Sequence, residues 1–208
     1  MVALPQKALW WPSRGTLFVA DVHLGKEASF QAQSIPIPMG PTAETLNRLD
    51  ALIRSTRAEH LILLGDLWHA KSGRTPKLVD DFIAWRTRHQ TVKMTLVEGN
   101  HDLKSGKLPA NSNFEEVAEP FLVPPFALSH YPEPCADGYV LCGHIHPGVL
   151  LEGRGRQSMK LPCFWIGKRV AVLPAFGEFT GCARVSPVEG DQVMVVAEDQ
   201  VIRVPLVS

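Results

Sequence analysis

Thr16-Leu-Phe-Val-Ala-Asp21-Val-His23-Leu-Gly25 sets the pattern that the rest of the chain repeats. The apolar run Thr16–Ala20 after Gly15 reads as a buried strand, and it stops on a polar, turn-like pair, Asp21 and His23. Leu61-Ile-Leu-Leu64 stops in the same way on Gly65-Asp66, and Val92–Val97 on Glu98-Gly-Asn-His-Asp102. Between the first two runs, Thr42 reads as a helix N-cap ahead of Leu46, Leu49 and Ile53. Lys77 to His89 places Leu78, Phe82 and Trp85 on one face and predicts a second helix. The front half is thus β-α-β-α-β. Short strand-like runs follow, at Phe126–Leu128, Tyr139–Cys142, Phe164–Ile166, Val170–Leu173, Val193–Ala197 and Val201–Val204, separated by Gly and Pro. Two packed sheets with helices outside, a layered α/β arrangement, accommodate both halves.

At 208 residues the chain fits a single domain spanning 1–208. Lys plus Arg equals Asp plus Glu at 21 each, which denies the protein a strong overall attraction to nucleic acid, though not a local basic patch. Met1 to Pro12 has no signal-peptide character and no stretch is long enough to span a bilayer, so the cytoplasm is the expected location. Cys135, Cys142, Cys163 and Cys182 show no CxxC pairing and read as reduced, mostly buried residues.

The chemistry sits where apolar runs end. Besides Asp21/His23, Asp66 and Asn100/His101/Asp102, two polar clusters follow runs in the β-rich half: Ser129-His130 and Gly143-His-Ile-His146. Carboxyl ends of strands converge on one edge in layered α/β folds, so these clusters are expected to meet in space. Carboxylate, imidazole and amide oxygen suit divalent ions such as Mn, Fe or Zn, whereas thiolates would signal a softer site. Asp21/His23 and His144/His146 share a two-residue spacing that lets one turn aim both at one ion, with Ile145 free to point into the core. Asp66 can bridge two ions through its two oxygens. Two such ions activate a water and stabilise entering and leaving oxygens in phosphoryl transfer. Each motif alone is weak, since strand-end Gly-Asp and Gly-Asn also serve as caps and turns. The ordered set is specific.

That ordered set resembles the calcineurin-like metallophosphoesterases, whose signature is Asp-x-His, Gly-Asp, Gly-Asn-His-Asp, a lone His, then Gly-His-x-His. The resemblance implies a four-layer α/β/β/α sandwich holding two divalent metal ions. One ion would take Asp21, His23, Asp66 and His146, the other Asp66, Asn100, His130 and His144. It also implies that His101 faces the scissile phosphate and assists the leaving group, with Asp102 orienting its imidazole. Many relatives carry an acidic residue or Asn three positions after the bridging Asp, where this chain has His69, a second-sphere, substrate-facing or simply solvated histidine. A narrower resemblance covers nearly the whole chain. Asp21-Val-His-Leu-Gly-Lys26, Ile35-Pro-Ile-Pro-Met-Gly40, Leu161-Pro-Cys-Phe-Trp165, Leu173-Pro-Ala-Phe-Gly177 and Phe179-Thr-Gly181 are similar to the ligase-associated DNA damage response metallophosphoesterases. That family implies a manganese-favouring endonuclease, with a DNA ligase and a helicase as repair partners.

Other residues remain two-sided in the sequence. Lys26 is either a phosphate contact or a solvated loop lysine, and Lys71 and Arg74 raise the same question. Arg154 and Arg156 either touch nucleic-acid backbone or decorate a hairpin tip. Trp68 and Phe30 are candidates for base stacking, with core packing the preferred reading, and Phe164, Trp165 and Phe176 read as core. The Pro-rich connector is a rigid link or a lip over the site. The leading expectation is a phosphodiesterase acting on nucleic acid or nucleotides. A phosphomonoesterase or nucleotide pyrophosphatase with the same metals is the alternative, and a non-catalytic scaffold of the same fold is the second.

Overall fold

A computed structural model describes residues 1–35, 37, 40–152, 158–178 and 180–205. Pro36, Pro38 and Met39 of the Pro-rich connector, Arg154, Arg156 and Phe179 therefore lie outside the described residues.

In chain order the front half contains β1 (Val2–Leu4), β2 (Ala8–Trp11), β3 (Thr16–Val19), α1 (Lys26–Ala32), α2 (Pro41–Thr56), β4 (His60–Leu64), α3 (Pro76–Arg88), β5 (Lys93–Val97), α4 (Asn100–Ser105) and β6 (Glu115–Val117). These six strands form one sheet in sequence order. The β1–β2–β3 pairings are antiparallel, while β3 through β6 run parallel. Parallel neighbours need a crossover, and the helices between β3 and β6 supply it.

The back half contains β7 (Phe121–Val123), β8 (Phe126–Leu128), β9 (Tyr139–Cys142), β10 (Pro147–Glu152), β11 (Ser158–Ile166), β12 (Val170–Val172), β13 (Ala183–Arg184), β14 (Gln192–Ala197) and β15 (Gln200–Val204). Together they make a nine-stranded mixed sheet in which β8, β9 and β12 run parallel.

Residue parity explains why all four positions of β3 are buried. Leu17 and Val19 pack with Leu46 and Leu49 of α2 and Phe82 and Trp85 of α3. Phe18 and Ala20 face the other way, onto Leu128, Leu141, Phe164 and Ala171 of the second sheet. A strand covered on both faces reads as one continuous apolar run, which is what Thr16–Ala20 looks like in sequence. The α/β class and the two packed sheets thus follow the expected plan. Among the described residues every α-helix belongs to the front half, so the second sheet's outer face is not covered by a helix. It carries its own small clusters, around Cys142 and Val172 and around Cys163 and Val195.

One local expectation changes. Thr42 is not the N-cap of α2, because that helix starts at Pro41 after Gly40. Its hydroxyl instead accepts from the Gly25 amide (2.9 Å) and donates to Glu27 Oε2 (2.8 Å), while its amide donates to Glu27 Oε1 (3.0 Å). This buried clamp ties α1 and α2 to the loop that follows Asp21. The true N-cap hydroxyl belongs to Thr75, which accepts from the Leu78 amide at the start of α3. Trp68 is core, as its preferred reading has it: it is fully buried against Phe82.

Thr42→Val keeps the shape and removes the hydroxyl, leaving the buried Glu27 carboxylate short of a donor. It is expected to lower unfolding free energy by about 2 kcal/mol in urea titration, with an unchanged denaturant slope.

Candidate metal centre

Because β3, β4 and β5 are parallel, their carboxyl ends deliver Asp21, Asp66 and Asn100 to one edge of the first sheet. The parallel β8 and β9 do the same for His130 and for His144 and His146 in the second. The two edges are sewn together. Ala20 and Ala175 form a parallel bridge, and Phe176 and Gly177 donate their amides to the Ala20 and Asp21 carbonyls (2.8 and 3.0 Å). The ligand loops also hold one another: the Asp21 and His23 amides bond the Gly65 and Asp66 carbonyls, and the Gly143 amide bonds the His130 carbonyl.

The backbone here is bent into an unusual shape. Among the described residues ten non-glycines have positive φ, and five of them are Asp21, His23, Asp66, His144 and His146. Asp, Asn and His enter the left-handed region more readily than other residues with a Cβ, yet each instance still costs on the order of 1 kcal/mol. Strain concentrated on one cluster marks a site whose geometry is imposed by its surroundings. Two glycines let it close. A Cβ on Gly65, itself at φ +83°, would collide with the His130 ring, and one on Gly143 would collide with the Asp21 carboxylate.

The donor atoms fall into two groups. Asp21 Oδ1 lies 3.5 Å from His146 Nε2, which is 3.3 Å from His23 Nε2, which in turn is 3.9 Å from Asp66 Oδ2. His130 Nε2 lies 3.5 Å from the same Asp66 Oδ2 and 3.0 Å from both Asn100 Oδ1 and His144 Nδ1. The His130 Nδ1–H donates to the Leu64 carbonyl (3.2 Å), so in the neutral ring Nε2 carries a bare lone pair. One proton cannot satisfy three acceptor-rich neighbours around that nitrogen; a cation can. Asp21 and Asp66 are buried, and among the described residues neither has a Lys or Arg ion-pair partner. Buried carboxylates faced only by imidazoles and by the amides of His101 and His144 call for positive charge from outside the chain. The residues therefore fit divalent ions held by O and N donors.

One detail differs from the simple two-oxygen bridge. Asp66 Oδ1 accepts the His101 amide (2.9 Å), which leaves Oδ2 alone facing both donor groups. The protonation landscape suits ion binding. Burial, followed by the neighbouring His146, His101, His69 and Lys26, lowers the His23 imidazole to about 2, so the ring stays neutral. Burial raises the Asp66 carboxyl despite the opposing pull of His130, a penalty that a bound cation would reverse.

The expected His101–Asp102 pairing is replaced. The His101 Nδ1–H donates to the His69 carbonyl, and its Nε2 points back toward Asp66 Oδ2 at 3.9 Å. Asp102 accepts the Gly99 amide (3.0 Å) and the Trp68 amide (3.2 Å), so it closes the turn before α4 rather than gripping the imidazole. Burial lifts its carboxyl to about 6. His69 joins the cluster, its ring stacked on that of His101 with centroids 5.5 Å apart and Phe30 beside it. Lys26 Nζ rests over the Phe30 ring, and Arg74 ties the Ser105, Gly106 and Lys107 carbonyls at the end of α4. Arg74 is thus a brace and not a free phosphate contact.

Sequence reading passed over Glu119. Its Oε2 gathers the Ser129 hydroxyl and the amides of His130 (2.6 Å) and Tyr131 (3.1 Å), fixing the loop that presents His130. Nothing in the local sequence announces it, since a lone Glu before Pro120 has no motif. Glu119→Ala is expected to weaken divalent-metal binding about 10–100-fold by titration calorimetry, with Glu119→Gln retaining most of the affinity through its one remaining acceptor oxygen.

The calcineurin-like phosphoesterase family profile matches residues 16–164, a span that includes all seven candidate ligands. Among solved structures, the chain is similar to the Pseudomonas putida nuclease MPE, with 41% identity, 97% of this chain and 93% of that chain covered, and a TM-score of 0.84. A weaker likeness, 16% identity with a TM-score of 0.44 over 91% of this chain and 97% of that one, is to Yfce, a phosphoesterase from E. coli. No curated protein matches the sequence. With the ordered ligand motifs brought to one strand-end seam and the profile spanning most of the chain, the protein belongs to the calcineurin-like phosphoesterase family and is a metal-dependent hydrolase.

Proposed function

We propose that the chain is a binuclear phosphodiesterase that hydrolyses nucleic-acid backbone, with DNA as its substrate and manganese as its preferred metal. The observation that carries this reading is the pair of donor groups sharing Asp66 Oδ2, with the His101 Nε2 facing the same oxygen. The likeness to a nuclease at 41% identity supports the choice of a polynucleotide over a small ester. The repair connection, and a ligase or helicase as partner, rest on the sequence resemblance.

Asp21, His23, Asp66 and His146 would hold one ion and Asp66, Asn100, His130 and His144 the other. Two divalent ions so held supply Lewis acidity to a phosphoryl group and lower the pKa of a coordinated water. The protein's own part is positioning. The seam and the strained loops fix the donor atoms before substrate arrives. Asp66 is oriented by the His101 amide, so the residue that bears the catalytic ring also aims the shared carboxylate. The His69 carbonyl keeps a proton on His101 Nδ1, and when the ring is charged its Nε2–H is the proton available to a departing alkoxide.

Two experiments test this. His101→Asn should lower cleavage of DNA, whose alkoxide leaving group needs a proton, by about 10²–10⁴-fold. The same change should lower hydrolysis of a nitrophenyl diester, which has a good leaving group, by less than about tenfold. Equal losses on both would remove His101 from the role of proton donor.

Chelated protein should lose turnover and melt at lower temperature, since ions that bind only the folded state stabilise it. Readdition of Mn, Mg, Zn, Fe, Co and Ni should restore activity, with Mn best, on aryl diester and DNA. Faster hydrolysis of an aryl monoester than of the diester would replace this reading with a phosphomonoesterase. DNA-repair function that survives in cells without metal-dependent turnover would point to a scaffold.

A further inference from the structure

Beside the metal centre lies a cavity of about 400 Å³ whose walls include Lys7, Lys160, Ala175, Thr180 and Cys182. A backbone bridge places it. Ala175, in its wall, pairs in parallel with Ala20, the residue before Asp21. Cys182, also in its wall, precedes Ala183, whose amide donates to the His146 carbonyl at 2.8 Å. The cavity therefore shares its walls with segments that carry two candidate ligands of the same ion.

Its charge is one-sided. Among the described residues no carboxylate lines it, and neither Lys7 nor Lys160 has an ion-pair partner. Arg48 stands close to Lys7, but its guanidinium is taken by Glu178 and the Phe176 carbonyl. Lys7 is held at φ +65° in the turn between β1 and β2. Burial, aided by Arg48, lowers its ammonium to about 8, the mark of a cation short of counter-charge. Lys160 is exposed, on the strand β11 that leads back toward the seam.

We propose that Lys7 and Lys160 form an anion subsite that takes a backbone phosphate of a polynucleotide, one flanking the phosphate at the metal centre. The proposal rests on the nucleic-acid reading above. Ammonium groups contact phosphate as point charges and carry no base preference, so the subsite would set the path and affinity of the strand and not its sequence. It also reconciles a chain of zero net charge with a polyanionic substrate: attraction is local.

The test compares wild type, Lys7→Gln, Lys160→Gln, the double variant and Lys7→Arg, all loaded with Mn. Substrates are a labelled single-stranded oligonucleotide and bis(p-nitrophenyl) phosphate, which has no flanking phosphate. In the double variant the ratio of kcat/KM for oligonucleotide to that for aryl diester should fall about tenfold, and Lys7→Arg should keep most of it. The salt dependence of oligonucleotide kcat/KM should become shallower by about 0.7 per lost contact. An unmoved ratio in the double variant, or an unmoved salt slope, overturns the proposal. If wild type hydrolyses the aryl diester but leaves the oligonucleotide intact, the nuclease reading fails on its own. Oligonucleotide binding by anisotropy then decides the subsite: weaker binding in Lys160→Gln and the double variant supports it, and equal binding overturns it.

Discussion

Two buried carboxylates with no Lys or Arg partner among the described residues are what the molecule is organised around. Asp21 and Asp66 stand at the carboxyl ends of adjacent parallel strands, where imidazoles and the amides of His144 and His101 face them. In an apolar interior such a pair would push the chain apart or take up protons. The fold keeps them by bending their loops into left-handed backbone, bonding one loop to the next, and offering both carboxylates to an outside cation. Parallel strand order, the bridge between the two sheets and the glycines beside the ligands all serve this one arrangement.

The same constraint explains which parts of the molecule could be read without coordinates. The seven candidate ligands were legible because each follows an apolar strand and several are preceded by a glycine that makes room for a neighbour, as Gly65 does for His130. The β3, β4 and β5 strands were legible because both of their faces are buried. What escaped were features whose partners are distant in sequence. Thr42 has the composition of an N-cap, yet its hydroxyl is claimed by Glu27 and Gly25 across the fold. Asp102 sits beside His101 in the chain, but the turn points its carboxylate at the amides of Gly99 and Trp68. Short elements such as β1, β2, α1 and α4 carry too few residues for a period to emerge.

The network around His101 shows how one backbone can set several catalytic variables. Its amide orients Asp66, its ring is oriented by the carbonyl of His69, and Asp102 fixes the turn on which it rides. Position of the His101 ring and position of the Asp66 carboxylate are thus coupled through a single residue. A mutation of the ring leaves the amide in place, so side-chain substitution separates what the ring does from the aiming of Asp66.

The seam has a consequence for when the protein becomes active. Its donor atoms come from segments as far apart as Asp21 and His146, on strands of two different sheets. Translation delivers these segments in order, at roughly 5–20 residues per second. While the first sheet can assemble, His130, His144 and His146 have yet to be synthesised. An emerging chain therefore holds carboxylates and a few imidazoles but not the full set of donors, and it cannot yet act as a hydrolase. Activity is withheld by topology until β8 and β9 have been made and packed.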